Sequence, residues 1–558
     1  MPKRKHSTRS RSGAKRPSFD LPLPPELLER IFLNLEFKEL LQARRTCRRW
    51  RDAIASCPEL RDRFLLQFPH DRAITKINRN YKPLGDFPAA NVEFKLADYS
   101  KIGSINAWWP RVACTVTCLA MRGCEFAVDV LRHVPNLKSL ELDSVRIGGV
   151  GRVDFKLKNL RKLVLKEARP GPLRGMIVRL EVLECRSEVE DLEDLRSIVG
   201  LIKSAQTSLV ELILDVPASY LKDIAQLTEM RLKKVNLNAF ASRMTYGATL
   251  IPFAEAYTSI EDLTIVDSLD EEPLHTMLRS QSNLKRLELK FASPIIDYNE
   301  DQELNTLPAI PTGLSTLEHL RIECVDDSGW PKLNFQRGCR FPKLKQLHLE
   351  ALVVKGESLR RSLRYSPNLT QLTLDSCDFT SWNQLLRVIT QPKALRSLSF
   401  TTYEVMKTLE EEPISAKPCK SLRYLQLNVP ELDEVPRARV FALFRLFPHL
   451  TELRIESGVN DELVKEVCRK LTRLERLTLR VGSTTHRAVL YIRHYCRNLK
   501  YLTLMGIWKL EVEDMHYFVQ KLDRFSHGRF EFVGELRNLI LDCVKLNESD
   551  SDSDVDLF

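Results

Sequence analysis

One short pattern constrains this chain more than any other. Leu137-x-x-Leu140-x-Leu142 recurs as Leu160-x-x-Leu163-x-Leu165, Leu209-x-x-Leu212-x-Leu214, Leu284-x-x-Leu287-x-Leu289, Leu344-x-x-Leu347-x-Leu349 and Leu369-x-x-Leu372-x-Leu374. Leu317-x-x-Leu320-x-Ile322 is a close copy, and the series continues at Leu395, Leu422, Leu450, Leu474, Leu499 and Leu536. Looser copies start at Val116, Leu180, Leu232 and Ile260, giving 17 copies at a mean spacing of 26.25 residues. Within each copy the second and third apolar residues flank a polar one. A strand alternates its side chains, so those two enter a core and the residue between them faces outward.

About twenty residues remain in each unit for a return segment. Helical periodicity is visible at Phe126 to Leu131, Val464 to Leu471 and Val489 to Cys496. One strand with its return cannot cover its own apolar side, so neighbouring units must stack. Spacing and pattern are those of a leucine-rich repeat. The expected fold is α/β: a curved leucine-rich-repeat solenoid with concave parallel strands and convex helices. Wide gaps after Leu284 and Leu499, and the polar stretch Glu404 to Ser421, predict protruding loops or distorted helices, with Asp297 to Gly313 the most mobile.

Repetition also changes what the length means. A chain of 558 residues suggests three or four ordinary domains at roughly 150 residues each, but a solenoid absorbs most of it. The net charge of +11 divides similarly: residues 1–18 hold seven basic side chains and no acidic one, whereas Glu548 to Phe558 hold five acidic and no basic. The remaining balance does not resemble a domain built around nucleic-acid phosphates. No uncharged apolar stretch reaches the roughly 20 residues of a membrane span, and the opening MPKRKHSTRSR has no signal-peptide character. These features predict a protein of the nucleus, the cytoplasm or both, with no membrane partner; Lys3-Arg4-Lys5 reads equally as an import signal or a solvated tail.

The segment before the repeats is different. Leu21-Pro22-Leu23-Pro24-Pro25 limits helix upstream. Glu26 to Leu35, Phe37 to Thr46 and Cys47 to Ser56 then form three compact helical patterns. The expected organisation is a disordered basic tail at 1–20, a small all-α module at 21–68, a linker and cap at 69–113, repeats at 114–546 and an acidic tail at 547–558. Trp108-Trp109-Pro110 reads as packing a cap over the first repeat, with an exposed contact as the alternative.

The text LPPELLERIFLNLEFKELLQARRTCRRWRDAI, from Leu23 to Ile54, resembles an F-box. In that family the motif docks on a Skp-type adaptor, which joins it to a cullin–RING ubiquitin ligase. The resemblance implies adaptor contact or its support at Leu23, Pro24, Ile31, Phe32, Leu35, Leu40 and Trp50; Thr46 departs from the usual valine before the cysteine. The order of module and repeats resembles the leucine-rich class of F-box proteins. It implies a non-catalytic receptor that positions protein substrates for ubiquitination. An interaction scaffold without ligase assembly is the other reading.

No catalytic pattern competes with this one. Gly148-Gly149-Val150-Gly151 lacks both the phosphate-loop and dinucleotide spacings and reads as a turn. No HExxH and no CxxC occurs, so no metal or cofactor is expected. The thirteen cysteines, including Cys114, Cys118 and Cys124, read as apolar core residues. The candidate substrate surface is the concave face, through Lys234, Arg286, Arg321, Lys345, Arg396, Arg423, Arg454, Arg476 and Lys500 with Tyr424 and Tyr501. Their positive charge would suit an acidic or phosphorylated segment, while a balanced, solvated face would bind nothing in particular.

Overall fold

The structure is a computed structural model. It describes residues 23–68, 89–95, 108–148, 154–173, 175–186, 192–215, 217–238, 247–267, 270–291, 306–325, 330–379, 381–402, 417–429, 443–481 and 484–505. The basic and acidic tails, the copy at Leu536, Gly149 to Gly151 and most of the three predicted irregular segments lie outside the described residues. The chain divides into two compact units, residues 1–160 and 161–558.

The first unit opens with helices α1 (Pro25–Leu33), α2 (Phe37–Thr46), α3 (Arg48–Ser56) and α4 (Pro58–Arg61). Proline at the first position of α1 and α4 removes a backbone donor that a helix start cannot satisfy. In α2 the Glu36 carboxylate and Glu39 close a reciprocal capping box. A parallel sheet follows at once, through β1 (Leu65–Phe68), β2 (Asn91–Lys95), β3 (Cys118–Arg122) and β5 (Ser139–Asp143). The short β4 (Glu125–Ala127) and β6 (Arg146–Gly148) form a separate pair.

The sheet therefore begins at Leu65, earlier than the boundary at 114 expected from the repeat. Val92 and Phe94 enter the core as the paired leucines do elsewhere, but Ala89 replaces the leading leucine and hides the copy. Trp108 and Trp109 are fully buried in this unit. Trp109 opens α5 (Trp109–Ala113), meets Phe94 edge-on at 5.4 Å and donates its indole N–H to the Val130 carbonyl at 2.8 Å. Phe126 to Leu131 is not one helix: β4 occupies its start, and a single turn, α6 (Asp129–Arg132), its end.

In the second unit every described copy of the pattern is a strand, and all pair in parallel. The series runs β7 (Lys162–Lys166), β8 (Val182–Arg186), β9 (Glu211–Asp215), β10 (Lys234–Asn238), β11 (Asp262–Val266), β12 (Arg286–Phe291) and β13 (His319–Cys324). After a two-residue β14 (Lys332–Leu333) come β15 (Gln346–Val354), β16 (Gln371–Asp378), β17 (Ser397–Thr401), β18 (Tyr424–Asn428), β19 (Glu452–Val459), β20 (Arg476–Val481) and β21 (Tyr501–Met505). Registers are nearly unbroken, with Ser397 opposite Tyr424, Tyr424 opposite Glu452 and Glu452 opposite Arg476.

Return segments become helices where length permits. In α7 (Leu192–Ala205), Ile198, Leu201, Ile202 and Ala205 are buried at helical spacing. In α8 (Asp461–Lys470), Leu463, Val464, Val467 and Cys468 do the same, and the Asn460 side chain accepts from the Leu463 N–H. The copies at Leu160 and Leu180 are only 20 residues apart, and between them the chain makes one 3-10 turn at Gly171–Leu173. Of the loop predicted most mobile, Thr306 and Ile310 are fixed by parallel bridges to Lys332 and Phe335.

Two periodic devices hold the repeats in step. Ahead of the first leucine of a copy, a short polar side chain reaches the preceding copy's backbone. Asn283 donates to the Thr258 carbonyl, Asn368 to Pro342 and Asn498 to Thr472, at 2.8–3.1 Å. Ser208 and Ser259 do the same to Leu180 and Leu232. These bonds satisfy carbonyls that the turn leaves unpaired. A left-handed residue turns the chain in several repeats: Glu167 directly after β7, Ala351 and Ser376 within β15 and β16, and Gly123 and Ser144 after β3 and β5 in the first unit. Glycine takes that conformation at no steric cost, whereas the others cost about 1 kcal/mol.

Candidate functional site

The helical module separates into a core and an exposed apolar ridge. Leu28, Phe32, Leu40, Ala43, Ile54, Leu60 and Phe64 are buried together, with Leu23, Leu35 and Trp50 packed against them. Trp50 meets Phe32 edge-on at 5.3 Å. Arg49 donates to the Leu23 carbonyl and Arg63 to the Leu35 carbonyl, tying the two ends of α1 to α3 and to the turn after α4. The Thr46 hydroxyl stays at the surface and donates to the Gln42 carbonyl at 3.1 Å.

The seven residues implied as adaptor contacts or support therefore fall into three groups. Phe32 and Leu40 are 1% and 0% exposed and serve the module's own packing. Leu23, Leu35 and Trp50 are half-buried, and Pro24 and Ile31 are exposed. Ile31 is 46% exposed, and Leu27, one turn earlier on α1, is 44% exposed. Leu33 and Phe37 add further exposed apolar surface. Leu27 and Phe37 were not singled out from sequence, although the spacing of four puts Leu27 and Ile31 on one face of α1.

On the repeat sheet, the proposed cations mostly serve neighbouring strands. Lys234 on β10 contacts Glu211 on β9 at 2.7 Å, and Arg286 on β12 contacts Asp262 on β11 at 3.4 Å. Arg321 on β13 is central to a network, at 3.0 Å from Glu323, 2.7 Å from Glu350 and 3.6 Å from Glu288. Arg454 is held by Glu456 at 2.6 Å, and Arg476 lies 4.0 Å from the Tyr501 ring centroid. The Tyr424 hydroxyl donates to the Gln426 side chain at 2.7 Å.

Four candidates are not on the strand face at all. Lys345, Arg396, Arg423 and Lys500 each stand one residue before a strand, on the amino-terminal rim of the sheet. The alternation that identified strand positions starts one residue later, which is why the pattern alone misplaced them. Lys345 pairs there with Glu318 at 2.6 Å and Lys500 with Glu475 at 2.8 Å. Lys233, Glu261 and Lys285 continue the same row, with Glu261 at 3.9 Å and 2.6 Å from the two lysines. Hydrogen bonds from Lys285 and Lys345 hold Glu261 and Glu318 below the usual carboxylate range.

The outward positions of the central strands are not basic. Across β9–β13, β15 and β16 they carry Glu211, Asp215, Asp262, Glu288, Glu323, Glu350 and Asp375 against Lys234, Arg286, Lys290 and Arg321. Burial pushes the Asp215 carboxyl up to about 6, partly offset by Arg186 and an Asn238 hydrogen bond. Arg321 thus acts as a rivet between carboxylates. Arg321→Met is expected to lower stability by about 1–3 kcal/mol, because the glutamates lose their shared cation. Denaturant unfolding at low and high salt would check it: a loss under about 0.5 kcal/mol at low salt would refute the rivet.

Comparisons with known proteins agree with this organisation. Residues 21–62 match the F-box domain family, and residues 274–419 match the leucine-rich repeats of an FBD-associated F-box protein. No curated protein matches. A leucine-rich-repeat protein of Leptospira interrogans, LIC12759, is similar over 83% of this chain and 99% of its own, at 14% identity and a TM-score of 0.36. An internalin, inlF, of Listeria monocytogenes is similar over 70% and 81%, at 12% identity and a TM-score of 0.27. Neither likeness bears on function. Among the described residues no group of three histidine, cysteine or acidic side chains is placed to hold a metal, and the twelve described cysteines are free thiols. The chain carries an F-box domain followed by a parallel-strand solenoid whose repeats include those of the F-box, leucine-rich-repeat kind.

Proposed function

We propose that this protein is a non-catalytic substrate receptor that docks through its F-box on a Skp-type adaptor of a cullin–RING ubiquitin ligase. The observation that carries the reading is the ridge of Leu27 and Ile31 on a module whose other large apolar side chains are mostly packed. Burying such a side chain at an interface contributes about 1.5–3 kcal/mol. Two of them suffice to dominate a small contact. The repeat sheet supplies the substrate surface, and the chemistry belongs to other subunits. Holding a substrate close to a charged ubiquitin carrier raises the effective concentration of its lysines.

Co-purification of the full chain with the adaptor tests this directly. The unaltered chain is expected to retain adaptor, and a Leu27→Asp/Ile31→Asp variant to lose it with its thermal unfolding unchanged. A wild-type chain that captures no adaptor would leave an interaction scaffold as the better description.

A further inference from the structure

The amino-terminal rim changes character along the sheet. From β10 to β15 its cations and carboxylates alternate and pair. Over β17 to β19 they do not, and pairing resumes before β20, where Glu475 meets Lys500 at 2.8 Å. Arg396 and Arg423 stand side by side, the Arg423 N–H donating to the Arg396 carbonyl at 2.8 Å. Lys420 stands two residues before the leading Leu422 of its copy, and His449 and Arg473 stand one residue before Leu450 and Leu474 in the next two. The Arg423 guanidinium donates to the carbonyls of Lys420 and Leu422, not to a carboxylate.

Arg396, Lys420, Arg423 and Arg473 are exposed and form no ion pair with any described residue. Desolvation and the charges of Arg473, Arg423 and Lys420 push the His449 pKa down, which places all three cations within electrostatic reach of its ring. Its Nδ1 is shielded from solvent without a hydrogen-bond partner. Beside Arg396 and Arg423 the outward strand positions are uncharged, Ser397 and Ser399 on β17 with Tyr424, Gln426 and Asn428 on β18, whereas β19 beyond them carries Glu452, Arg454 and Glu456. From β10 to β15 the rim neutralises its own charge, whereas Arg396, Lys420, Arg423 and Arg473 have no carboxylate partner among the described residues.

We propose that this corner is the docking surface for a phosphorylated, acidic segment of a partner protein, held by Arg396, Lys420, Arg423 and Arg473. This rests on the substrate-receptor reading and specifies where and what that receptor binds. Three of the four cations are arginines, whose planar fork matches phosphate oxygens in pairs. A phosphate brings about −1.5 to −2 charges, enough to quiet two adjacent cations, and the serine hydroxyls can donate to its free oxygens. Nucleic acid fits less well. The patch is confined to a few repeats beside a carboxylate-rich face, and Tyr424 is engaged with Gln426 and does not stand free for base stacking.

The test is fluorescence anisotropy on the full chain with a labelled peptide carrying two phosphoserines among aspartates. Arg423→Glu/Arg473→Glu is expected to weaken binding at least about tenfold, with Arg423→Gln/Arg473→Gln intermediate. Lys162→Glu, an exposed cation on β7, should leave it unchanged. The peptide should also raise the His449 pKa in an NMR titration. Equal binding of the unphosphorylated peptide, equal binding by the double variants, or equal competition by single-stranded RNA would each overturn the proposal. So would a large gain in peptide affinity on deleting residues 547–558, since the acidic tail would then be the occupant. Adaptor capture is read in parallel: its retention with loss of peptide assigns the effect to this surface, and its absence from the wild-type chain strikes the receptor reading instead.

Discussion

Trp109→Ala is expected to lower the stability of the first unit by about 3–5 kcal/mol, the range for truncating a large buried aromatic. Trp109 is fully buried. Its ring faces Phe94 at 5.4 Å and Trp108 at 5.9 Å, in a cluster that continues through Phe68, stacked on Phe94 at 4.8 Å. The substitution removes one wall of that cluster and also leaves the Val130 carbonyl without its indole donor. A cavity and an unsatisfied acceptor then add. Domains of this size are stable by about 5–15 kcal/mol, so the variant unit should be largely unfolded in mild denaturant. Urea titration followed by far-ultraviolet dichroism measures it. Trp109→Phe keeps much of the volume and should recover more than half the loss. A cost below about 1 kcal/mol for the alanine would show that the tryptophans only rest on the sheet.

How much of this was legible beforehand depends on the scale at which residues act. Sixteen of the seventeen apolar triplets became strands because each carries its own signal: two buried leucines and an outward residue between them. The strands at Leu65 and Asn91 were hidden because alanine and phenylalanine fill the leucine places, and a core accepts that exchange when neighbours supply the volume. Phe126 to Leu131 has helical spacing, yet β4 takes its first residues because pairing with β6 overrides local propensity. The charges were hardest. Lys345 and Arg396 occupy the same place in the pattern, but Lys345 meets Glu318 and Arg396 meets no described carboxylate. The difference lies in a neighbour about 27 residues away along the chain, which periodicity does not weigh. In the F-box, spacing selected Ile31 and Phe32 together, and only the packing of α1 shows that one faces outward and the other inward.

That adjacency makes Ile31 and Phe32 the sharpest pair for separating docking from folding. Phe32→Ala removes a buried ring that contacts Trp50 and is expected to cost about 3–5 kcal/mol. A helical module of this size cannot absorb that loss, so adaptor capture should vanish together with the module's native-state hydrogen-exchange protection. Ile31→Ala removes a half-exposed side chain and should change stability by no more than about 0.5 kcal/mol. At an interface the same truncation forfeits about 1.5–3 kcal/mol, which weakens adaptor affinity roughly 10- to 150-fold. The two alanines therefore look alike in a capture assay and unlike in hydrogen exchange. Phe32→Leu, which refills the core without the ring, should recover part of the protection and part of the capture, whereas Ile31→Leu should recover capture alone. If Ile31→Ala binds adaptor as well as the unaltered chain does, the ridge on α1 is not the docking surface. Loss of exchange protection in Ile31→Ala would instead mean that Ile31 supports the helix packing and that its exposure is incidental.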